Sequence, residues 1–279
     1  MSRAKLAPKC VGTKYESRFG DGASTPWLDD AALKERVRRN RFRRWDGVEA
    51  TAQEHGQWML SEARSLMSDA RRGEYRPYGS RNGCQYFIHD ALTAAGEGSA
   101  FVKIEGRLSL EPRDMVAWMF DLPGLRDADE TIVLMKVLET YAGPQSDDPF
   151  TALIYWANAP GFPFAIRDNV DISGYQKDED GTVWQFSTSV PGDVASQPGA
   201  IKGTDRYWAY KLVPAGNGQT DVTLICQTLL HGNLPKFVAN RMVCRVLIDY
   251  MTTIVREVEK KKKSGEHAAL IAQLDLGRV

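Results

Sequence analysis

The stretch from Leu234 to Lys260 constrains the fold more than any other part of the chain. After Pro235 no Gly or Pro follows until Gly265, so nothing interrupts a helix for about seven turns. Asn233 can cap it, and Pro235 suits a first turn. Apolar side chains recur at Val238, Met242, Val246, Tyr250, Ile254 and Val258, widened by Phe237, Leu247, Met251 and Val255. Arg241, Arg245, Asp249, Thr252, Arg256 and Lys260 fall on the other side. The pattern predicts an amphipathic helix with one broad apolar face, too interrupted by charge to span a bilayer. Such a face needs a large apolar partner.

Strands upstream supply it. Gln85–His89 is short, and Phe101–Leu110 alternates apolar and polar residues. Glu111-Pro112 opens a helix through Trp118 and Phe120 that Leu122-Pro123-Gly124 ends. Further strands are expected at Ile132–Tyr141, Thr151–Ala157, Arg167–Tyr175, Thr182–Ser189, Ile201–Val213 and Asp221–Leu230. Asp178-Glu179-Asp180-Gly181 is a hairpin turn of the Asp-Gly type. The connections are too short for parallel crossovers, so the expected class is α+β, with a curved antiparallel sheet and the long helix against it. Residues 1–47 read as a basic, partly mobile extension that adds little to the core, 48–263 as the domain, and 264–279 as a tail. A helix from about residue 29 and a second running to about Arg72 precede the strands.

Composition excludes several classes of function. Lys plus Arg equals Asp plus Glu at 36 each, so no net charge points to nucleic acid. The local run Arg36, Arg38, Arg39, Arg41, Arg43 and Arg44, with Phe42 and Trp45, fits a solvated face or an anionic lipid surface better than a nucleic-acid site. Cys10, Cys84, Cys226 and Cys244 lie far apart, as expected of free thiols in a reducing compartment. There is no secretory apolar segment. Five basic residues against one acidic in residues 1–20 leave an organelle-targeting segment open. His55, His89, His231 and His267 stand in four separate segments without metal-ligand spacing. His231, before Gly232, is the best general-base candidate, although a histidine in a turn is more often structural. No enzyme, metal or cofactor is expected.

Tyr155-Trp156, then Pro160-Gly161-Phe162-Pro163-Phe164-Ala165-Ile166-Arg167-Asp168-Asn169-Val170, carries a Tyr-Trp, a Phe-Pro and an Arg-Asp-x-Val in order. Ser187-Thr188-Ser189-Val190-Pro191, Gly199-Ala200-Ile201-Lys202 and His231-Gly232-Asn233-Leu234-Pro235-Lys236-Phe237 with Asn240 follow. Over residues 50–263 this resembles the START (StAR-related lipid transfer) domain family, nearest its phosphatidylcholine-transfer branch. The resemblance implies a helix-grip fold, in which the curved sheet wraps around the C-terminal helix and leaves a tunnel for one lipid. It implies a soluble carrier or sensor, a monomer in the cytoplasm that touches membranes transiently. A helix-grip enzyme acting on an apolar substrate, or an interaction module with a collapsed cavity, are the alternatives.

The resemblance also nominates residues. Trp156 falls where one wall of an aromatic cage for choline is placed, a use of cation–π attraction. A strand tryptophan packed in a core fits the same residue. The third wall falls near Arg206-Tyr207, while Asn169 stands where another aromatic is expected. The positions of a sterol-type ion pair hold Ile154 and Ser173. If the family's strand phase holds, Arg167, Asn169, Asp171 and Ser173 face the tunnel, and Asp171 then needs a cation, a donor cluster or water. Arg167 or Arg126 can meet a phosphate, although Arg167 and Asp168 fit structural pairs at the sheet edge equally well. Val238, Met242, Val246 and Tyr250 complete the lipid-contacting set. Arg41, Arg43 and Arg44 with Lys260, Lys261, Lys262 and Lys263 are expected to dock on an anionic membrane surface.

Overall fold

The computed structural model describes residues 31–129, 131–141, 149–159, 165–191, 199–231 and 235–273. The first thirty residues, Pro160–Phe164 and Gly232–Leu234 lie outside the described residues, together with the targeting, Phe-Pro and helix-cap readings that fall on them.

Helix α1 (Ala31–Arg39) leads into a small hairpin of β1 (Phe42–Arg43) and β2 (Glu49–Ala50), then α2 (Ala52–Leu66). Thr51 starts α2 by accepting from the Glu54 backbone N–H at 3.1 Å, while the Glu54 carboxylate accepts from Thr51 N–H at 2.7 Å. This reciprocal box ties off two backbone donors that would otherwise be unpaired. A 3-10 turn (Asp69–Glu74) ends the segment, so the helix stops earlier than Arg72. Strands β3 (Arg76–Arg81), β4 (Cys84–Ile88) and β5 (Val102–Leu108) follow, with short α3 (Asp90–Ala95) between the last two. Pro112 opens α4 (Pro112–Phe120), and Asp121 accepts from Gly124 N–H to begin a further helix, α5 (Leu122–Ala128). Leu-Pro-Gly therefore starts a helix as well as ending one, because Pro fits a first turn.

The remaining strands are β6 (Ile132–Tyr141), β7 (Phe150–Asn158), β8 (Arg167–Lys177), β9 (Val183–Ser189), β10 (Ile201–Lys202), β11 (Thr204–Gly216) and β12 (Gln219–Leu229). The main sheet runs β3-β4-β5-β12-β11-β9-β8-β7-β6, antiparallel throughout. Short β10 lies parallel beside the start of β8. The expected strand 201–213 is thus broken at Gly203, whose N–H donates to Asp168 O at 2.8 Å.

The chain ends in α6 (Lys236–Ser264), closed by Gly265 at φ +82°, and α7 (Glu266–Gln273). Period-two alternation divides the sheet's side chains between two cores. On the convex face, Leu153, Tyr155, Val170, Ile172, Phe186 and Ile225 pack under Met59, Leu60 and Ala63 of α2. On the concave face, Ile104, Ile154, Tyr210 and Leu224 meet α4, α5 and the Leu247, Met251, Ile254 and Val258 side of α6. This is the helix-grip architecture.

Three features of the packing stand beside those expectations. Leu33 and Phe42 are buried in the convex core and Trp45 Nε1 donates to Thr188 Oγ1 at 3.2 Å, so residues 31–47 belong to the packed body. Residues 266–273 are a helix, with Leu270 and Ile271 against the concave core. Val246 is 54 % exposed although it stands in the proposed apolar row. At about 100° per residue, a strict four-residue row drifts about 40° per step and cannot stay on one face for six positions.

Candidate functional site

A cavity of about 360 Å³ lies between α6 and the concave face. Strand β7 lines it with Ile154, Trp156 and Asn158, and β8 with Arg167, Asn169, Asp171 and Ser173. Gln185 and Ser187 of β9 and Thr204, Asp205 and Trp208 of β11 extend this wall. Val243, Val246, Leu247 and Tyr250 of α6 form the opposite side, and Met119, Phe120 and Ile132 close one end. The lining is mostly apolar with polar groups gathered on the sheet, the usual design of a small-molecule site.

The helix is tied differently along its length. Near its start, Asn240 accepts from Ala100 N–H at 2.8 Å and donates to Gly98 O at 3.0 Å. Its far end is clamped by charge: Lys261 pairs with Asp121, and Lys262 pairs with Asp114. Asp114 also accepts from His267 Nε2 at 2.8 Å and from Glu111 N–H at 3.0 Å. Burial works against the Asp114 charge, but these partners outweigh it and hold the carboxyl below its ordinary range.

The polar row of β8 is largely satisfied by the protein itself. The Arg167 guanidinium donates to the carbonyls of Ala165, Leu230 and His231 at 2.6, 3.1 and 3.4 Å. Burial lowers its pKa, and its fork joins strand ends instead of a carboxylate. Ser173 and Ser187 hydroxyls share a hydrogen bond of 2.7 Å. Asp171 Oδ1 accepts from Asn169 Nδ2 at 2.7 Å and Ser189 Oγ at 2.6 Å, and its Oδ2 accepts from Ser187 Oγ at 3.2 Å. A donor cluster is thus what meets the Asp171 carboxyl.

A second carboxylate, which the sequence did not single out, joins it. Asp205 Oδ1 accepts from Thr228 Oγ1 at 2.6 Å, and the Asn169 amide reaches Asp205 Oδ2 at 3.4 Å. Burial, then the neighbouring Asp205 charge, push the Asp171 carboxyl well up, and burial pushes Asp205 up. Asp171 is buried and Asp205 half-buried, and a negative charge on one opposes ionisation of the other.

The other nominated residues are dispersed. Tyr207 packs in the convex core with Arg206 over its ring, so the expected third cage wall faces away and Trp208 stands in the cavity instead. Val238 is half-buried but does not line the cavity, and the Arg126 and Met242 side chains lie outside the described residues. His231 does not line it either; its Nε2 lies 3.1 Å from Thr204 Oγ1. Among the described residues no cluster of His, Cys, Asp and Glu could hold a metal, and no helix is long and apolar enough to cross a membrane. Of the basic residues, Arg41 pairs with Glu54, Arg44 pairs with Asp46 and stacks on Trp58, and Lys260 pairs with Glu257. Arg43 and Lys263 are exposed. The arginines accompany the convex layer and the lysines the concave one, so the two groups do not form one patch.

Comparison with known structures agrees with this architecture. The structure of human STARD10 superposes with a TM-score of 0.62 at 14% identity, covering 76% of this chain and 84% of that one. Human StAR-related lipid transfer protein 5 gives 0.62 at 16%, covering 75% and 97%. The lipid transfer and protein localization domain of human StarD13 gives 0.51 at 18%, covering 72% and 93%. At these identities the likeness speaks for the fold. No curated protein matches the chain in sequence. The START domain model matches residues 49–264, which span the sheet, the cavity and α6, and the chain belongs to the START domain family.

Proposed function

We propose that the protein binds one membrane lipid in the cavity between α6 and the sheet and carries it between membranes or reports its presence, without making or breaking a bond. The observation that carries this reading is the cavity itself, walled by α6 side chains on one side and a polar strand face on the other. An apolar void is costly when empty, and each buried methylene of an acyl chain returns about 0.8 kcal/mol.

Within that reading a phospholipid is favoured over a sterol. Ile154 and Ser173 offer no ion pair to a sterol hydroxyl, and Ser173 is engaged with Ser187. The cavity wall instead carries Asp129, Asp171 and Asp205 against the single guanidinium of Arg167 among the described residues. Their excess negative charge suits the positive end of a zwitterionic head beside Trp156 and Trp208. The β8 row already has hydrogen-bond partners within the protein, so charge decides the preference. Docking on anionic membrane falls to exposed Arg43 and Lys263 more than to the paired cations.

Mass spectrometry of lipid co-purifying with the native protein, followed by competition between labelled phosphatidylcholine and labelled cholesterol, tests the reading. Phospholipid recovered and exchanged unchanged is the expected result. Tight cholesterol binding without phospholipid uptake would overturn the headgroup assignment, and a chemically converted lipid would overturn the carrier.

A further inference from the structure

The end of the cavity far from Arg167 holds polar atoms that the lipid-carrier reading leaves unused. Gln185 lines the cavity at 5 % exposure; its Nε2 donates to Phe186 O at 3.1 Å, and its Oε1 accepts nothing among the described residues. The register sets Gln185 directly opposite Tyr210 on β11 and Tyr175 on β8. Residues so paired stand about 5 Å apart at Cβ on the same face. Tyr210 is fully buried, and its hydroxyl also has no partner among the described residues. Trp118, on α4 packed over β9 and β11, has an indole N–H in the same condition. Tyr250 of α6 lines the cavity and links the two rings. Burial and then the Tyr250 phenol raise the Tyr210 pKa, and the Trp118 indole tempers what burial does to Tyr250. Phe120 closes this end, edge-on to Phe150 and Tyr175 at 5.5 and 5.7 Å. A buried polar atom without a partner is costly, and three gathered where an apolar cavity ends call for a guest.

Resting on the lipid-binding reading above, we propose that Gln185, Tyr210 and Trp118 form a polar subsite at the closed end of the cavity, and that it takes a hydroxyl of the bound lipid. The atoms themselves select that group. The Gln185 oxygen only accepts, the Trp118 N–H only donates, and the Tyr210 hydroxyl does either. A hydroxyl donates once and accepts twice, so it serves all three. A chain-terminal methyl serves none of them, and an ether or ketone oxygen leaves Gln185 without a donor. An ammonium would carry its charge into an end of the cavity that has no carboxylate among these residues.

Position along the sheet says where on the lipid the hydroxyl sits. Gln185 stands opposite Tyr175, six residues along β8 from Asn169. At about 3.3 Å per residue that is about 20 Å, the reach of a long acyl chain. Between the two ends the Ser173 and Ser187 hydroxyls are engaged with each other, so a chain passes them without competing for a hydrogen bond. A lipid whose head lies at the Asn169 end therefore brings to Gln185 a hydroxyl carried near the far end of its chain.

The same hydroxyl also belongs to a simple long-chain alcohol entering head first, and the experiment separates the two sources. One arm compares phosphatidylcholines bearing a hexadecanoyl, a 16-hydroxyhexadecanoyl or a 16-methoxyhexadecanoyl chain, read by displacement of a fluorescent lipid. The other compares hexadecanol with its methyl ether by the same displacement. The hydroxylated chain is expected to bind about tenfold tighter than both the plain and the methoxy chain. Gln185→Met and Tyr210→Phe keep the shape of the side chains and remove the polar atoms. Each should bring the three phosphatidylcholines close to equal while leaving the plain chain bound as in the parent protein, and either variant suffices if the other fails to fold. Preference in the first arm only assigns a hydroxylated acyl chain, and preference in the second only an alcohol that enters head first. Equal binding within both arms would mean that water fills the closed end, and it would overturn the subsite while sparing the carrier. A preference that survives both substitutions would do the same. No binding of any of these lipids would overturn the carrier reading itself.

Discussion

The two faces of one sheet use the same strands for opposite ends. On β8, Val170 and Ile172 turn to the convex side and are packed by α2, while Asn169, Asp171 and Ser173 turn to the concave side and border open space. The convex side has no slack. A Cβ on Gly56 of α2 would fall 2.7 Å from the Phe186 ring, and one on Gly174 would fall 2.1 Å from Phe150 O. The concave side keeps about 360 Å³ between Trp156 and α6. One face therefore contributes stability and the other gives some up to hold a guest, a division that close packing on the first makes tolerable.

Truncating a residue on each face measures the division. Phe186→Ala should destabilise by about 3–5 kcal/mol, because the ring is fully buried and α2 cannot follow it inward. Trp156→Ala should cost clearly less in denaturant unfolding without lipid, since one side of that ring already faces the cavity. Equal losses at the two positions would show that the concave face is as closed as the convex one. Gly56→Ala should cost about 1–3 kcal/mol by overpacking, with no change in lipid uptake.

The sequence shows the two faces unequally well. Regular alternation in β7 and β8 makes Ile154, Trp156, Asn169 and Asp171 legible as one wall, and the Asp-Gly turn forms as expected, with Gly181 at φ +84°. Asp205 and Trp208 are three residues apart and by period two should face opposite sides. The register shift between Asp205 and Tyr207 inserts one residue, so both reach the cavity while Tyr207 turns to the convex core. A bulge leaves no local composition signal, which is why the carboxylate pair could not be read from the chain. The crossover that sets β5 beside β12 is hidden for a similar reason, since pairing between distant strands has no local mark.

Acid should open the molecule from both sides, first through the convex layer. His55 is buried in α2, its Nε2–H donating to Phe42 O at 3.0 Å, and burial lowers its pKa from 6.5 to about 4. Between those values the unfolded chain holds a proton that the folded chain refuses. Stability falls as pH drops through that window, by about 3 kcal/mol at its lower end. His55→Gln should flatten the unfolding midpoint between pH 6.5 and 4; an unchanged slope would remove His55 as its source. Asp114 acts lower down. Its depressed carboxyl stabilises the clamp of α6 and α7 above the ordinary aspartate pKa, and that contribution is lost as pH falls through its folded value. Asp114→Ala at neutral pH should cost about 3–5 kcal/mol by leaving His267 and Lys262 without their partner. Native-state hydrogen exchange should then rise in α7 and the last turns of α6 before it rises in α2.

The smallest expected change lies on α6. Val246 and Ile254 stand two turns apart on α6 and look alike in the sequence, yet Val246 is 54 % exposed at the edge of the cavity and Ile254 is fully buried. Ile254→Ala should cost about 2–5 kcal/mol, as a truncation in a packed core does. Val246→Ala should stay within about 0.5 kcal/mol, because the side chain leaves little surface behind when it is shortened. Its effect should appear in exchange instead. Val246→Asp places a charge where an acyl chain would pass, and charge in an apolar passage is costly unless paired. Lipid uptake from vesicles should therefore slow in Val246→Asp while the unfolding midpoint stays near that of the parent protein. A parent-like uptake rate would mean that ligands enter elsewhere. A large drop in stability would mean that α6 packs more tightly over the cavity than its exposed valine indicates.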